Sequence, residues 1–283
     1  MKLVSWNIQW ARGCDRQVSV RRIADTIRAG GDADVICLQE VAVGHDALPG
    51  LSGEDQVAQF MAEFAGHAAV FAPGSDQPGE GGRPRQFGNL LLSRLPVRAV
   101  WRRLLPWPAD PSVPSMQRAV AEATLEAPGG PLRVLCTHLE YYSPLQRTAQ
   151  VEALRALSAE ALAHAGAPPA EKDGNTAFLP PLRPAAALLC GDFNCEPDSA
   201  EYRLLVERSG QPGADWVDLW RHLHPARPHA HTVGLHGADW PDRPYCCDFA
   251  FATPALLPRV SDLHVDTATD ASDHQPVWVE LRG

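Results

Sequence analysis

Short runs of β-forming residues recur from one end of the chain to the other, and many of them stop on a polar side chain. They read KLVSWNI, DVICLQEV, AAVFAP, FGNLLLSR, VRAVWRRL, AVAEATLE, LRVLCTHLE, ALLCGDF, DFAFAT, RVSDLHV and QPVWVEL. AVAEATLE alternates apolar and polar residues. Others are continuously apolar, as expected of strands covered on both faces. Helical segments fall between them. Val20, Ile23, Ala24 and Ile27 share one helical face before Gly30-Gly31. Val57, Phe60, Met61 and Phe64 repeat that spacing before Gly66. Ser143 and Pro144 read as N-cap and first residue of the longest helix, which carries Val151, Leu154, Leu157 and Ala161 on its buried side. Ser199 is expected to cap a shorter helix with Tyr202, Leu205 and Val206. Many strands and fewer helices predict two packed sheets with helices outside, an α+β arrangement forming a single domain over 1–283. Residues 73–86, 166–184 and 221–244 are rich in Gly, Pro or His and are expected to be loops.

Bulk properties narrow the function. The chain has 283 residues, 45% of them hydrophobic, enough for a sizeable core. It holds no apolar run of about eighteen residues, so no membrane association is expected, and no leader pattern precedes LVSW. A cytoplasmic location and a monomeric state are the expectation. The seven cysteines are odd in number and sit mostly in apolar runs, which fits reduced thiols. The net charge of −9 argues against holding long nucleic acid by charge alone. A polyanionic substrate would have to be met locally, by metal ions and a few arginines.

The polar residues at the strand ends carry the chemistry. Asn7 follows Val4-Ser5-Trp6, and Glu40 follows Ile36-Cys37-Leu38-Gln39. His138 closes VLCTH, and Asp192 and Asn194 close ALLCGDFN. Asp248 opens DFAFAT, and Asp273 and His274 precede QPVWVEL. If these ends converge on one rim, they form a pocket of carboxylates, amides and imidazoles on a rigid scaffold. Oxygen ligands of this kind suit Mg²⁺ or Mn²⁺. A free carboxylate can activate water, and a histidine backed by a carboxylate can hydrogen-bond a phosphorane-like transition state. Read singly, several of these residues have bland alternatives. Asp192 and Asn194 would end any strand in a turn, and a lone His138 is more often a satisfied core residue. Along a continuing strand, positions 192 and 194 point to one side, and Gly191 leaves the backbone free to bend.

In order and spacing, SWNIQW, LQEV, GNLLLSRLPV, THLE, GDFN and SDHQPV resemble the endonuclease/exonuclease/phosphatase superfamily, which includes DNase I, abasic endonucleases, neutral sphingomyelinases and inositol-polyphosphate 5-phosphatases. The resemblance spans Asn7 to His274. It implies a four-layered α/β/β/α sandwich, DNase I-like, and Mg²⁺-dependent phosphoester hydrolysis. By this resemblance Glu40 is the principal metal ligand, with Asn7 and Asp273 as further ligands. Asp192 activates water, Asn194 holds that water or the phosphate, and His274 touches the phosphate with Asp248 orienting it. His138 resembles a second phosphate-contacting histidine. Arg118 and Tyr141 are candidate substrate contacts; a surface ion pair and rim packing are their bland readings.

The expected substrate is a phosphodiester, DNA or RNA. A small or lipid phosphoester, as in sphingomyelinases and inositol phosphatases, is the alternative. A non-catalytic binding scaffold is a third reading, which the intact polar set argues against. Two features stand apart. Cys246 occupies a position where many relatives carry Arg, and PYCCDFAF only distantly matches the inositol 5-phosphatase segment. His222, His224, His229, His231 and His236 crowd one loop without a standard zinc spacing.

Overall fold

In the computed structural model, residues 1–237 and 239–283 are described. Sheet one contains β1 (Lys2–Asn7), β2 (Val35–Val43), β3 (Ala68–Pro78), β4 (Pro84–Ser93), β11 (Val260–Val265) and β12 (Val277–Leu281), in the order β11-β12-β1-β2-β4-β3. Sheet two contains β5 (Val97–Leu104), β6 (Ala119–Leu125), β7 (Leu132–His138), β8 (Ala187–Asp192), β9 (Val217–Asp218) and β10 (Asp248–Ala252), in the order β5-β6-β7-β8-β10-β9. The helices are α1 (Val20–Gly30), α2 (Gln56–Glu63), α3 (Pro144–Gly166), α4 (Ala200–Val206) and α5 (Leu219–Leu223).

Side-chain alternation along the strands explains the layers. Leu3, Cys37, Leu91, Val134, Cys136, Leu188 and Cys190 face the space between the sheets. Their neighbours Val4, Ile36, Leu38 and Leu90 face the other way and pack with Ile23, Ile27 and Phe60 of α1 and α2. On sheet two, Leu135 and Leu189 turn outward onto Val151 and Leu154 of α3 and Leu205 of α4. Three apolar layers therefore separate four structural ones, and the central strands are buried on both faces. This is the α/β/β/α sandwich expected from sequence.

The helix ends follow local chemistry. Ser19 caps α1 by accepting the Arg22 amide at 3.2 Å, and Ser143 caps α3 by accepting the Gln146 amide at 3.3 Å. Met61, expected on the buried face of α2, is instead 47% exposed, while Val57, Phe60 and Phe64 pack into the core as expected.

One segment corrects the sequence reading. Residues 73–86 form the outer half of the β3–β4 hairpin, with Ser75 paired to Phe87 and Pro78 to Pro84. Pro73 and Pro78 are tolerated because β3 is an edge strand, where a missing N–H costs no ladder bond. A second difference is β9, a two-residue strand that no periodicity announces. No described helix is long and apolar enough to cross a membrane.

Candidate active site

The strand register places the polar ends together. β7 and β8 run parallel with His138 opposite Asp192, and β10 returns antiparallel with Asp248 opposite Asp192. β1 and β2 run parallel, so Asn7 and Glu40 end at one rim of sheet one. β12 is antiparallel to β1, so Asp273 and His274, just before it, reach the same rim.

Two backbone devices aim the side chains. Strict alternation would send Glu40 toward the helices beside Ile36 and Leu38. A bulge between Leu38 and Val41, with Glu40 at φ 61°, turns it to the rim instead. After Asn7, residues Gln9, Trp10 and Ala11 all hold positive φ, forming a left-handed turn. Such a turn costs roughly 1–2 kcal/mol per residue. It swings the Gln9 amide onto Asp273 Oδ2 at 2.7 Å. Gln56 clamps both devices, donating to the Trp10 carbonyl and accepting the Ala42 amide.

Asn194 reaches the site in a way that corrects the alternation argument. The strand stops at Asp192, and Asn194 stands at φ 49° in a turn whose backbone amide donates to Asp192 Oδ1 at 2.9 Å. Gly191 is required by more than bending. Its φ is 145°, and a Cβ there would lie 1.8 Å from the Thr137 carbonyl oxygen.

Asn7, Glu40, His138, Asp192, Asn194, Asp248, Asp273 and His274 thus surround one depression. Asn7 Nδ2 donates to Glu40 Oε1 and to Asp192 Oδ2, each at 3.0 Å, tying the two sheets. Asp192 Oδ2 also lies 3.4 Å from His138 Nε2 and 3.8 Å from His274 Nε2. His274 Nδ1 bonds Asp248 Oδ2 at 2.8 Å. Burial alone would lower the His274 pKa, but Asp248 and then Asp192 outweigh it and hold it well above the ordinary histidine value.

His138 has the opposite character. Burial, reinforced by the nearby Arg118 guanidinium, pulls it down to about 3. It is therefore neutral near pH 7, and Nε2 accepts from Asn194 Nδ2 at 2.9 Å. The same Asn194 nitrogen donates to the Leu139 carbonyl at 2.9 Å, which fixes the amide orientation.

Glu40 is raised to about 7 by burial first and by Asp273 second. Burial likewise raises Asp273. Among the described residues neither carboxylate pairs with Lys or Arg, and their hydrogen-bond donors are neutral. Asn7, Glu40 and Asp273 can hold a hard cation, which would replace the missing positive charge. Asp192, Cys247, Asp248 and His274 also bring ligand atoms within 4.8 Å of one another. Those groups are already wired together. Asp248 Oδ2 accepts from Thr232 Oγ1 at 2.6 Å and from Cys247 Sγ at 3.4 Å, as well as meeting His274.

Arg118 lies buried beside His138, not in a surface ion pair. Its Nε donates to Glu140 at 3.3 Å. Tyr141 lies at the rim between Tyr142 and Trp240. Cys246 and Cys247 are buried, and burial pushes both thiols well up. The loop histidines disperse: His229 meets Asp218, His224 the Leu263 carbonyl and His236 the Thr267 carbonyl.

Several supporting residues escaped the sequence reading. Gln9 had a usable signal, two residues after Asn7 within one motif. Ser272, which donates to the Asn7 carbonyl at 2.8 Å, sits beside Asp273. Glu140, the last residue of THLE, and Cys247, next to Asp248, had the same kind of signal, whereas Thr232 had none, because its partner Asp248 is sixteen residues away.

The sequence profile described as the Endonuclease/Exonuclease/phosphatase family matches residues 4–274. The chain belongs to that family. Members of the Endonuclease/Exonuclease/phosphatase family hydrolyse phosphoester bonds and generally use divalent metals. No curated protein sequence matches the chain. Among solved structures, it is similar to an endonuclease/exonuclease/phosphatase from Beutenbergia cavernae, with 26% identity and a TM-score of 0.66, covering 100% of this chain and 72% of that one. A mannosyl-6-phosphatase from Bacteroides thetaiotaomicron is 16% identical, with a TM-score of 0.66 and full coverage of both chains. The 3′ phosphatase NExo from Neisseria, bound to a product DNA hairpin, is 20% identical, with a TM-score of 0.62 and full coverage of both. The last two likenesses concern the fold.

Proposed function

We propose that this chain is a phosphodiesterase, with nucleic acid as its substrate class, that hydrolyses the ester by in-line attack of water and requires Mg²⁺ or Mn²⁺. The observation that carries the reading is the charge imbalance at the sheet-one rim. Glu40 and Asp273 are buried together with no Lys or Arg partner among the described residues, and the nearby His274 only partly offsets the burial that raises Glu40 to about 7. That imbalance fits a hard divalent cation held by Asn7, Glu40 and Asp273. When bound, the cation neutralises phosphate charge and stabilises the leaving oxygen.

The remaining work falls to side chains. Asp192 accepts a proton from the attacking water, and Asn194 orients that water or the phosphate. His274, kept protonated by Asp248, donates from Nε2 to a non-bridging phosphate oxygen, where charge accumulates in the transition state. His138 is neutral and adds a polar contact without adding charge. Arg118 supplies a cation at that side, with Glu140 holding its guanidinium. All these groups lie on one chain, which is compatible with a monomer.

A second reading, a phosphoesterase for a small phosphorylated substrate, is favoured by the net charge of −9. The deciding experiment measures turnover of single- and double-stranded DNA, RNA, bis(p-nitrophenyl) phosphate, sphingomyelin and inositol phosphates, each with Mg²⁺, Mn²⁺ or EDTA. Metal-dependent cleavage of a polymer supports the first reading. Turnover confined to small esters selects the second, and turnover of nothing would reject both.

A further inference from the structure

Three aromatic rings run in a row between the His138 flank and the Asp248 flank of the phosphoester site. Tyr141 follows β7 on the His138 flank, and Tyr245 precedes β10 on the Asp248 flank. Trp240 joins them, with its ring centroid 5.0 Å from Tyr141 at 85° and 6.3 Å from Tyr245 at 89°. Tyr142 extends the row, 4.6 Å from Tyr141 at 80°. These are not core residues: Trp240 is 41% and Tyr142 54% exposed.

The arch is held in place at each foot. Arg147 donates to the Tyr141 carbonyl at 2.8 Å, and the Thr232 amide donates to the Tyr245 carbonyl at 2.8 Å. Asp239, beside Trp240, pairs with Arg12 at 2.9 Å and Arg16 at 2.5 Å across the cleft. Its proximity to the reacting groups shows in the Tyr245 hydroxyl, whose pKa burial raises first, with Cys247 and Asp192 adding to the shift. Every pair within the arch is edge-to-face. Arg243 already lies over the Tyr245 ring, 5.1 Å from its centroid, so the 41% exposed indole of Trp240 is the surface on which a further flat ring can stack.

We infer that the Tyr141–Trp240–Tyr245 arch seats a nucleobase carried on the ester undergoing hydrolysis, so that the enzyme prefers unpaired nucleic-acid ends or nucleotidyl esters to continuous duplex. This deepens the phosphodiesterase reading and rests on it. Stacking on aromatic side chains accepts any base and needs the base out of the duplex, where its faces are already used. The alternative way to hold nucleic acid, a broad cationic surface on duplex phosphates, is at odds with a net charge of −9. An exposed indole flanked by two half-buried tyrosines beside a phosphate site achieves local recognition without that charge.

The test compares initial rates on thymidine 5′-(p-nitrophenyl phosphate) and methyl p-nitrophenyl phosphate, which share a leaving group and differ in the base-bearing unit. The full chain should favour the nucleotidyl ester in kcat/KM by about tenfold or more. Trp240→Ala and Tyr141→Ala should collapse that ratio toward one, mainly through KM, and Trp240→Phe should restore most of it. A second readout is fluorescence of a single-stranded oligonucleotide carrying 2-aminopurine, which should be quenched on binding with the Asp192→Asn protein and not with Asp192→Asn/Trp240→Ala. Equal rates on the two esters, an unchanged ratio in both alanine variants, or duplex bound as tightly as single strand would overturn the inference. If neither ester is turned over, the phosphodiesterase reading fails, and the fluorescence experiment alone decides whether the arch binds a base.

Discussion

The two rims of the site meet their electrostatic needs in opposite ways. On the sheet-two rim, Asp248 and Asp192 find their partners within the protein: Thr232, Cys247 and His274 surround Asp248, and the Asn7 side chain and the Asn194 backbone amide donate to Asp192. On the sheet-one rim, Glu40 and Asp273 receive only the neutral amides of Asn7 and Gln9 and a hydroxyl from Ser272. Burial costs a carboxylate several kcal/mol when nothing compensates it. The sheet-two carboxylates are therefore hydrogen-bonded from within, whereas burial raises both sheet-one carboxylates and leaves them without a Lys or Arg partner among the described residues. The same contrast separates the histidines. His274 gains a proton from its carboxylates, while Arg118 and burial deny one to His138.

This contrast can be broken at several points. The largest effect is expected from Asp192→Asn, which removes the proposed acceptor for the water proton while conserving shape. Turnover in steady-state assays should drop about 10²–10⁴-fold, and a tenfold drop or less would move the role elsewhere.

Next comes Glu40, where pH and metal are linked. Its folded pKa of about 7 lies above the ordinary value of 4.5. Below 4.5 the carboxyl is protonated in both folded and unfolded chains. As pH rises to about 7, the unfolded chain ionises first, so the metal-free protein loses stability across that window. A bound cation reverses the penalty. The rise in Tm caused by Mg²⁺ should therefore grow from pH 5 to pH 8, and Glu40→Gln should flatten the dependence. A Mg²⁺ effect independent of pH in the parent protein would contradict the contrast between the rims.

A smaller effect, structural in origin, is expected from Gly191→Ala. The added Cβ meets the Thr137 carbonyl at 1.8 Å in a backbone region unfavourable to alanine. Urea unfolding should show about 1–3 kcal/mol of lost stability from backbone strain, with β7 and β8 pushed apart. Thr232→Ala tests the internally served rim. It deletes the 2.6 Å bond to Asp248, whose Oδ1 already lacks a partner. A loss of about 1–3 kcal/mol is expected, together with a lowered upper pKa in the pH–rate profile as His274 loses an ordered carboxylate. The smallest signal should come from thiol labelling. Cys14 is the only cysteine that is not buried, so it should react first and Cys246 and Cys247 only on unfolding.

Much of the molecule was legible from consecutive residues. Apolar runs marked the central strands, Ser143 and Ser199 behaved as helix caps, and the polar strand ends gathered at one rim. The misreadings share a cause. Residues 73–86 look like a loop because Gly and Pro dominate, yet pairing to β4 overrides that preference. The alternation argument for Asn194 assumed a strand that continues, whereas a turn delivers the side chain.

The sequence by itself determined where the central strands and the longer helices lie and which polar groups stand at the strand ends, because alternation and capping depend on neighbours within a few positions. Only the tertiary structure decided that Glu40 is re-aimed by a bulge, that Thr232 and Cys247 support Asp248, that Arg118 silences His138, and that Tyr141, Trp240 and Tyr245 form one arch. Those outcomes require two sheets to pack in a particular register, and the charge and burial that set each group's protonation exist only after distant segments have met.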